Sequence, residues 1–316
     1  MFLNKGKGAG FLLPFGLVVS ALVALPFFTD LFYQSFITEI LVWVLFAVSF
    51  DLIFGYTGLL SFGQALFFGL GAYAVAISLL KLELGTGAGL LLSVLVPVLF
   101  ASLVGYFSVK LTGIHFVIIT IIFALIASTL AETWTWLTGG TDGLVFPAPP
   151  LDLGLLKVDL TDIRSTYYLV LAVVVLSYLL LRRIVQSPLG KAFVAIRENE
   201  ERARLIGYDV RRHKLLSFVI AGGFSGLAGG LYSLTLKYAS AGFLHWSVSG
   251  HAVVYTIVGG AGTLVGPALG AALIMSLEHS LVNYLQATDL VVGAVLVLML
   301  LVAPKGFVGL LRRRGG

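Results

Sequence analysis

SPLGKAFVAIRENEERARLIGYDVRRHK, residues 187–214, is the one long, highly charged interior segment of a chain that is otherwise apolar. On either side of it the sequence returns to apolar runs of about twenty residues, the length a helix needs to cross a bilayer. Ser187-Pro188 signals a helix start, a capping hydroxyl followed by proline at the first helical position, and Gly207 signals a stop. The spacing predicts one helix of about five turns between them. Leu189, Phe193, Ile196, Ala203 and Ile206 make a narrow apolar stripe, with Lys191, Arg197, Glu198, Glu200, Glu201, Arg202 and Arg204 opposite. Glu198 with Arg202 and Glu200 with Arg204 are acid-first (i, i+4) pairs, each worth roughly a few tenths of a kcal/mol on an exposed helix. A solvated connector would share this pattern. The length and the mixed charge favour a surface built to meet another protein.

Of the 316 residues, 59% are hydrophobic and 11% charged, with a mean hydropathy of +1.04. Those values exclude a soluble domain and predict an all-α, polytopic membrane protein set in a lipid bilayer, a single transmembrane domain over 1–316. Cysteine is absent, which removes disulfides, thiolate metal sites and a cysteine nucleophile. The pI of about 9.4 does not point to nucleic acid, because the basic residues flank apolar runs and are explained by topology.

Working outward, Phe11–Phe28 reads as a first span rather than a cleaved signal, since no small-x-small site follows it. Leu31–Phe54 returns, carrying Glu39 near its start and Asp51 near its end. GYTGLLSFGQALFFGLGAY, residues 55–73, is dense in glycine and predicts a broken or re-entrant segment before a third span to Leu80. Leu90–Val109, interrupted by Pro97 and its expected kink, and Ile114–Leu130 are the fourth and fifth spans. Residues 132–166, with Trp134, Trp136 and the Pro147, Pro149, Pro150 cluster, are too polar to cross and form an external loop. Tyr167–Leu181 and Leu215–Leu236 are the next spans, and Leu290–Ala303 closes the bundle. Between them Ser249–Leu285 fits two spans, or one span and a half-helix.

Sixteen of the twenty lysines and arginines fall on one side when both termini and residues 187–214 are cytoplasmic. That asymmetry fixes the orientation, requires an even number of crossings and favours about ten. Gly63-Gln64-Ala65-Leu66 and Gly266-Pro267-Ala268-Leu269 echo each other, one in each half and each inside a glycine-rich break. Paired breaks of this kind point to a transport pathway. Tyr56, Thr57, Ser61 and Gln64 in the first break, and Gly259 and Gly260 in the second, are its candidate lining. No catalytic set emerges: none of the five histidines has a partner at metal-ligand spacing, and no GxxxxGK[ST] is present, so the chain carries no nucleotide site or other cofactor site of its own. An ion-coupled carrier would need a working carboxylate at the midplane, for which Asp51 and Glu278 are the candidates. A passive channel would need neither.

Four motifs together resemble the branched-chain amino-acid ABC transporter permeases of the LivM type. They are DLIFGYTGLLSFGQALFFGLGAY (51–73), TGGTDGL (138–144), SPLGKAFVAIRENEERARLIGYDVRRHKLLSFVIAG (187–222) and VGGAGTLVGPALGA (258–271). The resemblance implies one half of the membrane core of an ATP-driven importer. It would work with a second, different permease subunit, with two ABC ATPase subunits that bind the ATP, and with an external substrate-binding protein delivering leucine, isoleucine or valine across a bacterial inner membrane. It further implies that residues 187–214 hold the coupling helix that meets the ATPase, with Ala195, Arg197, Glu198, Asn199, Arg202 and Gly207 as docking candidates. Permeases for urea or short-chain amides share these motifs and are the nearest alternative, followed by an ion-coupled secondary transporter.

Overall fold

The computed structural model describes residues 8–147, 150–152 and 157–281, with isolated positions at 293, 294, 297, 301, 306, 307 and 309. The expected closing span lies for the most part outside the described residues. Apolar runs become helices here because a buried or lipid-facing backbone must satisfy its own hydrogen bonds. The first is α1 (Gly8–Ala24), followed by α2 (Leu31–Asp51), whose last turn widens into a π-turn over Leu52–Tyr56. After an irregular stretch come α3 (Gln64–Leu80), α4 (Thr86–Ser108) and α5 (Ile114–Thr133). Residues 31–56, 86–108, 114–133, 163–186 and 210–236 are each long and apolar enough to cross a membrane.

Between α5 and residue 163 no described helix is long enough to cross a membrane. This stretch holds the single turn α6 (Thr135–Thr138) and three two-residue strands, β1 (Leu144–Val145), β2 (Leu151–Asp152) and β3 (Lys157–Val158). β2 and β3 pair antiparallel with each other, while β1 pairs with β4 (Tyr238–Ala239) in the register Leu144–Ala239, Val145–Tyr238. Trp134 and Trp136 are exposed and meet edge to face at 6.2 Å, and the Lys81 ammonium lies over the Trp136 ring at 4.9 Å. These groups mark one end of the bundle.

The chain then runs back through α7 (Ile163–Gln186), passes α8 (Pro188–Glu198) and α9 (Glu200–Leu205) at the opposite end, and returns as α10 (Val210–Leu236). α10 is the central post, packed on α2, α3 and α4. Its glycines make this possible: a Cβ at Gly71 would fall on the Gly226 backbone, and one at Gly229 on the Phe68 backbone, so α3 and α10 meet main chain to main chain. Pro97 leaves α4 continuous, with Gly226 packed against its ring.

After β4 the chain turns inward again. The 3-10 turn Ala241–Leu244 buries Leu244 against Gly69, more than a turn inside α3, and α11 (Trp246–Gly259) starts from that depth. Its 14 residues span about 21 Å at 1.5 Å each, short of the roughly 30 Å hydrocarbon core. α12 (Val265–Leu281) runs back, and His279 near its end packs on Phe36 at 4.3 Å, beside the start of α2. Of Ser249–Leu285, the residues described as far as Leu281 hold most of α11 and all of α12, two helices that run in opposite directions and are joined by the glycine-rich break.

Candidate functional site

The charged segment is two helices, not the single five-turn helix its spacing predicts. Asn199 is extended (φ −162°, ψ 108°) and its side-chain Oδ1 accepts from Arg202 N at 2.8 Å, capping α9. Asparagine competes with helical backbone through its own amide, and here it stops one helix and starts the next. The break turns Glu198 away from Arg202, so that (i, i+4) pair does not form, whereas Glu200 and Arg204 approach to 3.6 Å. Phe193, Ile196 and Ala203 are buried as the apolar stripe requires, but Ile206 is 66% exposed and its neighbour Leu205 88%. Ser187 also departs from expectation: its hydroxyl donates back to Ile184 O at 2.6 Å and does not cap α8. Gly207 (φ +95°) ends α9 as expected, with Tyr208 N donating to Ala203 O and Gly207 N to Arg204 O.

One tether was not legible in the segment. Glu200 Oε2 accepts from Lys214 Nζ at 2.6 Å, and the Lys214 side chain is only 5% exposed. This pair straps α9 to the first turns of α10. Lysine at the edge of an apolar run reads as a topology marker, which hid its partner fourteen residues upstream.

The two glycine-rich breaks meet at the same end of the bundle. Asp51, fully buried, accepts from Gly262 N with Oδ1 at 2.7 Å and from Leu264 N with Oδ2 at 3.0 Å. Gly260 (φ +114°), Gly262 (φ +76°) and Leu264 (φ +58°) all have positive φ, which glycine adopts freely and leucine does not, and the carboxylate bonds two of the three. Gly55 has no room for a Cβ, which would fall on Asp51 and on Gly262 N. From the charged segment, Arg197 Nη1 donates to the Gly55 carbonyl. Asp51 appears in the sequence only as a charge near a helix end; nothing local announces partners more than 200 residues away.

The candidate pathway residues fall at two depths. Tyr56, Thr57, Gly259 and Gly260 lie beside Asp51, with Thr57 Oγ1 donating to Leu52 O at 3.1 Å and Gly259 closed against Gly266. A cleft of about 400 Å³ is lined by Thr57, alone of the pathway candidates, and by Arg197, Glu198 and Asn199 of the docking candidates; Tyr56, Gly259 and Gly260 are not in its lining. Of the docking candidates, Ala195, Arg202 and Gly207 lie outside the cleft lining, with Arg202 and Gly207 exposed. Ser61 and Gln64 sit deeper. Ser61 Oγ accepts from Gly63 N at 3.1 Å, and Gln64 Oε1 accepts from Ser225 Oγ at 2.9 Å, which itself bonds Ser49 at 2.9 Å. Gln64 Nε2 is buried without a hydrogen-bond partner among the described residues. Ser249 clamps this break by donating to Phe62 O at 2.7 Å and accepting from Ala65 N at 2.8 Å. The echo Gly63–Leu66 and Gly266–Leu269 coincides with the first turns of α3 and α12, each directly after its break.

Comparison with known proteins identifies the family. The family model described as branched-chain amino acid transport system / permease component matches residues 32–303. The chain is 28% identical to the high-affinity branched-chain amino acid transport system permease protein LivM of Escherichia coli, over 92% of this chain and 73% of that protein. It is 28% identical to the probable branched-chain amino acid transport permease protein LivH of Methanocaldococcus jannaschii, over 84% of this chain and 88% of that one. To the E. coli permease protein LivH it is 25% identical, over 84% and 91%. No solved structure matches. A bundle with two glycine-rich breaks, a charged helix pair at one end and a family match over most of its length together show that this chain belongs to the branched-chain amino acid transport permeases.

Proposed function

We propose that this permease is one of two unlike membrane subunits of an ATP-driven importer for leucine, isoleucine and valine, sited in a bacterial inner membrane with both termini cytoplasmic. Two ATPase subunits bind and hydrolyse the ATP, this chain binding none, and an external protein delivers the substrate. The observation that carries the reading is the α8–α9 pair, which stands at the bundle end with charges of both signs and with Leu205 and Ile206 exposed. Two large apolar side chains at a polar surface need a cover, and a docked protein supplies one. Placing this end in the cytoplasm also satisfies the excess of lysine and arginine on that side. Deeper in, Gln64 Nε2, which has no hydrogen-bond partner among the described residues, is a donor that a passing carboxylate would satisfy, which supports the first break as pathway lining.

The test is to recover this chain from its host membrane through an affinity tag, identify what accompanies it and reconstitute the assembly in liposomes. An ATPase and a second permease should come with it, and uptake of the three amino acids should require ATP. Recovery alone with ATP-independent uptake overturns the reading, and ATP-driven uptake of urea or amides in place of the amino acids overturns the substrate.

A further inference from the structure

We propose that Arg197 is a positioning residue whose guanidinium works inward, tying the α8 helix to both glycine-rich breaks, so that a movement of α8 is passed into the membrane through the Gly55 carbonyl. The inference rests on the reading of α8–α9 as the ATPase-facing element. On a helical wheel Arg197 belongs to the charged outer face, with Glu198 and Arg202. In the structure its Cγ lies against Gly58, 3.0 Å from where a Cβ would stand, and its Nη1 donates to Gly55 O. The same Nη1 stands 2.9 Å from the position a Cβ on Gly262 would take. One arginine therefore touches the end of α2, the start of the first irregular stretch and the loop between α11 and α12.

The chemistry of the contact suits transmission. Gly55 lies in a π-turn, where the wider ring leaves carbonyls free to take a donor from outside the helix. Gly262 is held between two groups, its N–H bonded to Asp51 Oδ1 at 2.7 Å and its open side facing the guanidinium. Asp51 in turn holds Leu264 N, so the carboxylate fixes residues 262 and 264 while Thr263 Oγ1, donating to Gly260 O at 2.8 Å, fixes the turn from within. Gly55, Gly58 and Gly262 are glycine where any side chain would push the guanidinium or the carboxylate away. A planar guanidinium bonded to backbone, with its stem packed on Gly58, passes displacement to the main chain rather than to another flexible side chain. Lysine keeps the aliphatic contact with Gly58 but lacks the planar fork that reaches the Gly55 carbonyl and stands beside Gly262 at once.

The experiment uses the whole transporter recovered through a tag on this chain, wild type beside Arg197→Ala and Arg197→Lys. The expected result for Arg197→Ala is undiminished recovery of the ATPase and continued basal hydrolysis, with substrate moved per ATP reduced about 5- to 150-fold, the range of ordinary coupling energies. Arg197→Lys should recover part of that ratio. Loss of the ATPase from the Arg197→Ala complex would make Arg197 an outward docking contact and overturn the inference, as would a wild-type ratio. Failure to recover an ATPase with the wild type would instead sink the functional reading. In that case hydrogen exchange on this chain alone still decides: Arg197→Ala should speed amide exchange across residues 260–264, and unchanged exchange overturns the proposal.

Discussion

Replacing Asp51 with asparagine tests whether one carboxylate holds the α11–α12 loop. Its two oxygens accept from Gly262 N at 2.7 Å and Leu264 N at 3.0 Å, both charge-assisted. An asparagine keeps one carbonyl oxygen, and whichever way its amide turns, the NH2 faces a backbone N–H. The loss is one charge-assisted bond, about 1.5–3 kcal/mol, together with about 1–3 kcal/mol for a stranded buried donor. A total of about 2.5–6 kcal/mol corresponds to local opening about 10²- to 10⁴-fold more frequent. Hydrogen exchange read by mass spectrometry on the peptide covering residues 260–265 should show that acceleration in Asp51→Asn, while exchange in the α3–α10 contact stays slow. Unchanged exchange at Gly262 and Leu264 would refute the clamp. Loss of uptake in a variant whose loop remains protected would move the carboxylate from structure to ion coupling.

Three further changes probe other parts of the frame. Glu200→Gln strands the buried Lys214 ammonium and should lower stability by about 1–3 kcal/mol, discounted because Glu200 is partly exposed; adding Lys214→Met should restore much of the melting temperature, and no restoration would deny the strap. Gly71→Ala sets a methyl on the Gly226 backbone and should cost about 1–3 kcal/mol or more, seen as a lower yield of monodisperse protein, while Gly16→Ala, with open space around it, should behave as wild type. Asn199→Ala removes the cap of α9, worth about 1 kcal/mol, and should speed limited proteolysis within residues 200–207; equal rates would show that the cap is idle.

The spans were legible because their signal is local: about twenty apolar residues, bounded by charge or glycine, can do little else than cross. The same holds for the end of α9, where Gly207 announces the left-handed turn it adopts. Legibility failed wherever one residue answers to two demands. Asn199 lies inside a good helical pattern, yet its side chain offers the backbone a cap, and the cap prevails. Arg197 has the spacing of a surface residue and is exposed, yet its Nη1 also reaches a carbonyl 142 positions away, and no periodicity encodes that. The dip before α11 was hidden for a similar reason, since its depth depends on Gly69 of another helix admitting Leu244.

The separation between partners in the two breaks has a consequence for how the protein is made. Gly262 and Leu264 follow Asp51 by 211 and 213 residues, and Ser249 follows Phe62 and Ala65 by 187 and 184. At about 5–20 residues per second, a ribosome needs about 10–40 s to supply them. Throughout that interval the first break is already in the membrane with Phe62 O, Ala65 N and the Asp51 carboxylate lacking their final partners. Biogenesis therefore has a vulnerable window in the middle of synthesis, one that closes only when the last third of the chain inserts.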